Sequence, residues 1–343
     1  IAITGTNGKT TTTALTAHLL RALRLRAEAA GNIGTPLAAV AGSREPPPWV
    51  ALEISSFQLH DTPSINPDVG ILTNLSPNHL DRYPSVEAYY GDKALLFRNA
   101  SAASSWVSNL DDADSRPMVA GVPGVQADFS VAQRADAWYD RERDQLVVLG
   151  VPLLARRELQ LLGDHNVANA LSATLAVMLA DPMHRTPMAI ERLAHGLRSF
   201  RALEHRIETV GEFAGVQWIN DSKSTNVAST LVALRGMTRP TVVLLGGRHK
   251  GEPYTALADE LRRTGKLVIA YGESAPIVEQ DLKGVVPVLR LGSSFSDVID
   301  AARREAAPGD AVLLSPACSS YDMFANYEQR GAEFKRLAAT GQG

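Results

Sequence analysis

The stretch TGTNGKTTT, residues 4–12, concentrates side chains and glycines that can do chemistry. It follows an apolar start (Ile1, Ala2, Ile3) and precedes apolar residues at helical spacing (Leu15, Leu19, Leu20, Leu23). That order predicts a strand, a glycine loop and a helix. Such a loop aims backbone N–H groups and a helix N-terminus at an anion. Lys9 is then placed as a point charge and the Thr10 hydroxyl as a Mg²⁺ ligand, a combination suited to a triphosphate. The spacing is shorter than the usual G-x-x-x-x-G-K-[ST], because Ile3 stands five before Gly8 and the nearest earlier glycine is Gly5.

Other polar residues fall where the same sheet would deliver them. GNIGTP, 31–36, is a turn cluster whose Asn32 is either a turn asparagine or an amide offered to a ligand. The run Pro46, Pro47, Pro48 leads into a strand, WVALEISS, that ends at Glu53. Ligands collect beyond the carboxyl ends of strands in open α/β sheets, so Glu53 is expected near the loop, able to bind a metal. A second buried strand, DVGILTN, delivers NLSPNHLDRYPS (74–85), with His79 and Asp81 on a loop at that sheet edge. Residues 85–98 form an amphipathic helix, on which Lys93 taken alone reads as a solvated lysine. Residues 119–157 read as hairpins rather than another βαβ unit. GDHNVANALSATLAVML, 163–179, is a helix presenting His165, Asn166 and Asn169 near its start, where polar residues usually serve as caps.

The elements needed to hold these residues are those of a two-domain α/β protein. A chain of 343 residues exceeds what one core usually serves. A composition break at DPMHRTP (181–187) places the boundary near Arg201, giving domains 1–200 and 201–343. The first is expected to carry a mostly parallel sheet with the phosphate loop. The second, smaller and Rossmann-like, has three polar clusters, DSKSTN, GGRHKGE and SPACSSYD, that follow strands or open helices and outline one ligand edge. A net charge of −3 argues against nucleic-acid binding. The single cysteine, Cys318, excludes an internal disulfide framework and fits a reducing cytoplasm. No apolar run reaches the length of a membrane span. Because Ile1 lies on the loop's own strand, the chain is expected to be a fragment.

Nine motifs in register, TGTNGKTTT, GNIGTP, ALEISSFQL, NHLDRYPS, GDHNVANA, EHRIE, NDSKSTN, LLGGRHKGE and LSPACSSYDMFANYEQRGAEF, resemble those of the Mur ligase superfamily of ATP-dependent amino-acid ligases. ISSFQL, NHLDRYPS and the last motif are most similar to the branch that adds D-glutamate to UDP-N-acetylmuramoyl-L-alanine in cytoplasmic peptidoglycan precursor synthesis. An L-glutamate-adding variant, folylpolyglutamate synthase and a phosphate-loop NTPase switch are the alternatives.

The resemblance implies a central ATPase domain and a C-terminal amino-acid domain, with a UDP-binding domain preceding them in complete members. It implies ATP and a pair of Mg²⁺ ions as cofactors, small-molecule substrates only, and a monomer. Gly5, Thr6, Asn7, Gly8, Lys9, Thr10 and Thr11 would hold the phosphates; Asn169, Arg206 and Asp221 would contact the nucleotide, and Lys223 would serve the phosphate side. Thr10, Glu53, His79 and Lys93 would hold metal, Lys93 as a carbamate, while Asn32 would touch the UDP substrate. Thr225, Lys250, Ser320 and Tyr327 would bind the incoming glutamate. Ser224 and Tyr327 stand where many members carry alanine and phenylalanine.

Overall fold

The computed structural model describes residues 1–77 and 82–340, which divide into two compact units, Ile1–Phe200 and Arg201–Gly343. The first unit is built on nine strands: β1 (Ala2–Thr4), β2 (Ala27–Gly31), β3 (Trp49–Glu53), β4 (Val69–Leu72), β5 (Ser105–Asn109), β6 (Val125–Ser130), β7 (Ala137–Asp140), β8 (Gln145–Val148) and β9 (Val151–Ala155). Their order in the sheet is β2-β3-β1-β4-β5-β6-β7-β8-β9. The pairs from β2 to β7 are parallel, and β8 and β9 close the sheet as antiparallel hairpins.

Strands that are apolar throughout, such as β4, are buried on both faces, as a parallel sheet covered by helices requires. Helix Asp164–Ala180 supplies much of that cover. Its Val167, Ala170, Leu171, Ala173, Leu175, Ala176, Val177 and Met178 are all buried, so it runs through the core rather than along the surface. Phe97 and Trp106 meet edge-to-face at 4.9 Å between centroids within a cluster of buried side chains that includes Ala2, Leu52 and Leu72 of the first strands.

Residues 119–157 depart in part from the hairpin expectation. β6 pairs in parallel with β5 after the short helix Ser115–Val119, so one more crossover precedes the hairpins. The Gly and Pro residues of that stretch mark the crossover's loops as well as hairpin turns, and composition does not distinguish the two.

The second unit has six strands: β10 (Glu208–Phe213), β11 (Val216–Asn220), β12 (Thr241–Gly246), β13 (Gly265–Tyr271), β14 (Val288–Arg290) and β15 (Ala311–Leu314). They lie in the order β10-β11-β15-β12-β13-β14, parallel except for β10, which pairs with β11 as a hairpin. β12 and β15 are wholly buried, and Val242, Leu244, Val312, Leu314, Trp218 and Phe334 form the centre of the core. In this order the carboxyl ends of β11, β15 and β12 are neighbours, so DSKSTN, SPACSSYD and GGRHKGE leave the sheet side by side. Among the described residues no helix is long and apolar enough to cross a membrane.

Candidate functional site

In the first unit the candidate site is assembled at the carboxyl ends of β3, β1 and β4. The loop from Gly5 to Gly8 joins β1 to helix Lys9–Ala22, whose N-cap, Gly8, has φ 83° and makes no side-chain cap. Gly8 thus offers no side chain to cap the first N–H groups of that helix, a helix start of the kind that binds anions. Glycine is required twice here. A Cβ on Gly5 would overlap the Thr73 hydroxyl that follows β4, and one on Gly8 would overlap the Asn169 amide.

The loop is held from several sides. Thr6 N donates to Asn74 O at 2.8 Å, Thr73 Oγ1 donates to Asn7 O at 2.7 Å, and Asn7 N donates to Asn74 Oδ1 at 2.9 Å. Lys9 Nζ folds back to donate to Gly5 O and Thr6 O, each at 2.9 Å. Asn169, 157 residues further along the chain, accepts from Thr12 Oγ1 at 3.1 Å and is itself braced by donating to Asn166 Oδ1. Its proximity to Gly8 gives Asn169 a place at the site that its position near a helix start did not indicate.

Glu53 ends β3 opposite Ile3 and is 2% exposed. Asn32 Nδ2 donates to its Oε1 at 3.0 Å, whereas Oε2 has no hydrogen-bond partner among the described residues. A buried carboxylate oxygen without a donor is costly, and a cation would relieve it. No group of three His, Cys, Asp or Glu side chains able to hold a metal occurs among the described residues. One carboxylate with a hydroxyl at the phosphate loop is instead the sparse donor set that Mg²⁺ accepts when phosphates complete its shell. The residues present thus fit Mg²⁺. His79 and Asp81 lie outside the described residues.

Lys93 differs most from its solvated reading, because it is 1% exposed. Its Nζ donates to Gly5 O at 2.7 Å and sits 4.5 Å from the centroid of the Tyr89 ring. Burial, helped by the charge on Lys9, pulls its pKa down to about 6, so the amine is mostly neutral at physiological pH. Ser85 caps the helix carrying it, accepting from Ala88 N at 3.2 Å, and this fixes the phase that turns Lys93 inward. His165 is half-buried, and burial depresses its pKa to about 4, leaving the ring neutral.

In the second unit Lys250 Nζ donates to Thr225 Oγ1 at 3.3 Å, bringing GGRHKGE to DSKSTN. Lys223 Nζ lies 5.1 Å from the Tyr327 ring centroid, and Ser320 is buried, its carbonyl accepting from Phe324 N at 2.8 Å. Asp221 is buried after β11, with burial pushing its pKa up to about 6. It accepts from Ser315 Oγ at 2.7 Å and from Ile207 N at 3.2 Å. The second bond clamps a turn in which His205 and Ile207 both hold positive φ, 63° and 46°, on either side of Arg206. A β-branched residue adopts that backbone only when its surroundings enforce it.

The chain matches the Mur ligase middle domain over residues 3–177 and the Mur ligase glutamate ligase domain over 205–318. It is 40% identical to the UDP-N-acetylmuramoylalanine--D-glutamate ligase of Salinibacter ruber, covering 99% of this chain and 76% of that protein. It is 37% identical to the protein of the same name from Solibacter usitatus, over 98% and 75%. The fold is that of solved MurF ligase from Thermotoga maritima in complex with ADP, at TM-score 0.71 and 18% identity over 98% of this chain and 80% of that one.

Proposed function

The chain belongs to the Mur ligase family, and from that membership we propose that it carries the ATP-dependent ligase activity that adds D-glutamate to UDP-N-acetylmuramoyl-L-alanine. The observation that carries the reading is the uncapped Gly8 helix start with Lys9 beside it, on the sheet edge that also ends in the half-satisfied Glu53 carboxylate. Such an edge binds a polyphosphate with its metal.

In the proposed reaction the substrate carboxylate attacks the γ-phosphorus of ATP, and the bond to the β–γ bridging oxygen breaks to release ADP. The glutamate amine then attacks the carbon of the acyl phosphate, phosphate leaves, and the amine gives up a proton as the amide forms. Both steps bring anions or electron-rich groups together, so catalysis is mainly positioning and fixed charge. Gly5, Thr6, Asn7, Gly8, Thr10 and Thr11 hold the phosphates, with Lys9 exchanging its two loop carbonyls for phosphate oxygens. Asn169 and Arg206 contact the nucleotide, and Asp221 contributes by holding the turn on which Arg206 stands. Lys223 serves the transferred phosphate, and Asn32 the UDP-linked substrate. Thr225, Lys250, Ser320 and Tyr327 take the glutamate.

Thr10, Glu53, His79 and Lys93 are the proposed holders of Mg²⁺, which when bound supplies neutralisation of the phosphate charge. A neutral Lys93 amine can add to CO₂, forming the N–C bond of a carbamate and releasing a proton. The modified nitrogen keeps one N–H for Gly5 O while the group becomes an anion. Localisation in the cytoplasm and a monomeric state belong to the same proposal.

The deciding measurement is phosphate release by the full-length enzyme given ATP and UDP-N-acetylmuramoyl-L-alanine with D-glutamate, L-glutamate or no amino acid. Release only with D-glutamate is expected. Release only with L-glutamate would keep the mechanism and change the pocket, whereas release without an amino acid would favour an NTPase switch.

A further inference from the structure

We infer that Arg330 is a positioning residue for the amino-acid site, a single buried guanidinium that ties together the three strand-end loops of the second unit. The inference rests on the assignment of glutamate to Thr225, Lys250, Ser320 and Tyr327.

Arg330 lies in helix Tyr327–Thr340 and is fully buried, at 0% exposure. Its Nε donates to Ser222 Oγ at 3.0 Å, and its Nη2 donates to Ser222 O at 2.8 Å and Cys318 O at 3.1 Å. Ser222 Oγ passes the tie onward by donating to Tyr327 O at 2.8 Å. On a third side Nη1 stands 3.3 Å from where a Cβ on Gly247 would lie, and that Cβ would also overlap Ser319 O. One side chain thereby bonds DSKSTN at Ser222 and SPACSSYD at Cys318, and its Nη1 occupies the space beside Gly247 of GGRHKGE. These contacts stand within three residues of Lys223 and Thr225, of Ser320, and of Lys250 respectively.

Stability alone does not account for a cation in this place. Taking a guanidinium out of water is unfavourable, and a well-packed apolar side chain of similar volume is often as stable or more so. Here none of the three hydrogen bonds goes to a carboxylate, and Nη1 has no hydrogen-bond partner among the described residues. What the planar fork supplies is direction, since it fixes several acceptors on different loops at once. Lysine, with one nitrogen, cannot hold Ser222 O, Ser222 Oγ and Cys318 O in the same geometry. The loops carrying the glutamate contacts are thus set relative to one another by a residue that need not touch the amino acid itself.

The test is steady-state kinetics of the full-length enzyme carrying R330K or S222A, with T225A beside them to check the pocket itself. In R330K the KM for D-glutamate is expected to rise about tenfold or more, as loss of charge-assisted hydrogen bonds that align a site predicts. The KM values for ATP and the UDP-linked substrate should stay within about threefold of wild type, which separates positioning of one substrate from a general loss. S222A, which removes one acceptor and leaves the core filled, should raise the glutamate KM by a smaller factor. If R330K does not fold, S222A decides alone. An unchanged glutamate KM in the variants that fold, with T225A raising it, overturns the positioning role and leaves the pocket assignment standing. If T225A also leaves it unchanged, the pocket assignment fails and takes this inference with it. A parallel fall in kcat and all three affinities, with a lowered Tm, would also overturn it, since the guanidinium would then serve only the core.

Discussion

Lys93 shows how one side chain's environment changes what it can do. On an exposed helix face it would be an ammonium; under the loop, against Tyr89 and Gly5 O, it is an amine held near neutrality at physiological pH. Lys93→Ala is expected to lower ligase turnover about ten- to a hundredfold, the range seen when a metal's supporting groups are removed. Added acetate or formate should restore part of it by supplying the missing carboxylate. Wild-type turnover in the mutant, measured by phosphate release in CO₂-equilibrated buffer, would rule out the carbamate. Asp221 presents the complementary case. Burial favours its protonated form, and the oxygens it offers are already used to hold Ser315 and the strained turn around Arg206.

At the scale of elements, the junction of β1 with helix Lys9–Ala22 works because a second helix comes close to it. Asn169, on helix Asp164–Ala180, occupies the space a side chain on residue 8 would need. Gly8→Ala combines that overlap with a left-handed backbone, and is expected to cost roughly 1–3 kcal/mol of stability. ATP affinity should fall with it, because the helix start must move. Denaturant unfolding and calorimetric ATP titration of the same preparation check the pair of effects; wild-type ATP affinity in G8A would show that the loop does not need this geometry. In the second unit, the adjacency of β11, β15 and β12 makes one edge out of loops that are far apart in the chain.

At the scale of the whole molecule, the buried Lys93 and Asp221 each titrate with a definite effect on stability. The Lys93 pKa is lowered from 10.5 to about 6, so between those values the unfolded chain binds the proton and the folded chain does not. Stability therefore rises with pH across that window. The Asp221 pKa is raised from 3.8 to about 6, so the folded chain keeps a proton that the unfolded chain has lost, and stability falls as pH climbs through that interval. Calorimetry in CO₂-free buffer should find that Lys93→Met flattens the rise above about pH 6, and that Asp221→Asn flattens the fall below it. Unaltered pH profiles in both variants would mean that neither group is shifted.

The residues that are contiguous in the chain determined the most about this protein. An apolar strand followed by T-G-T-N-G-K-T and a helical repeat specifies a strand, a glycine loop and a helix start locally, since glycine conformations, helix start and cation all lie within a few residues. Alternating strand and helix patterns likewise dictated two α/β units, and the ordered motifs led to the family. Tertiary structure decided what depends on distant partners. It turned Lys93 inward, left Glu53 Oε2 without a donor among the described residues, and brought Asn169 to Gly8. It also added β6 to the parallel sheet and gave Arg330 its three loops. Helical periodicity places a side chain on a face, but whether that face meets solvent, a carbonyl or another strand is set by packing between segments that the chain keeps far apart.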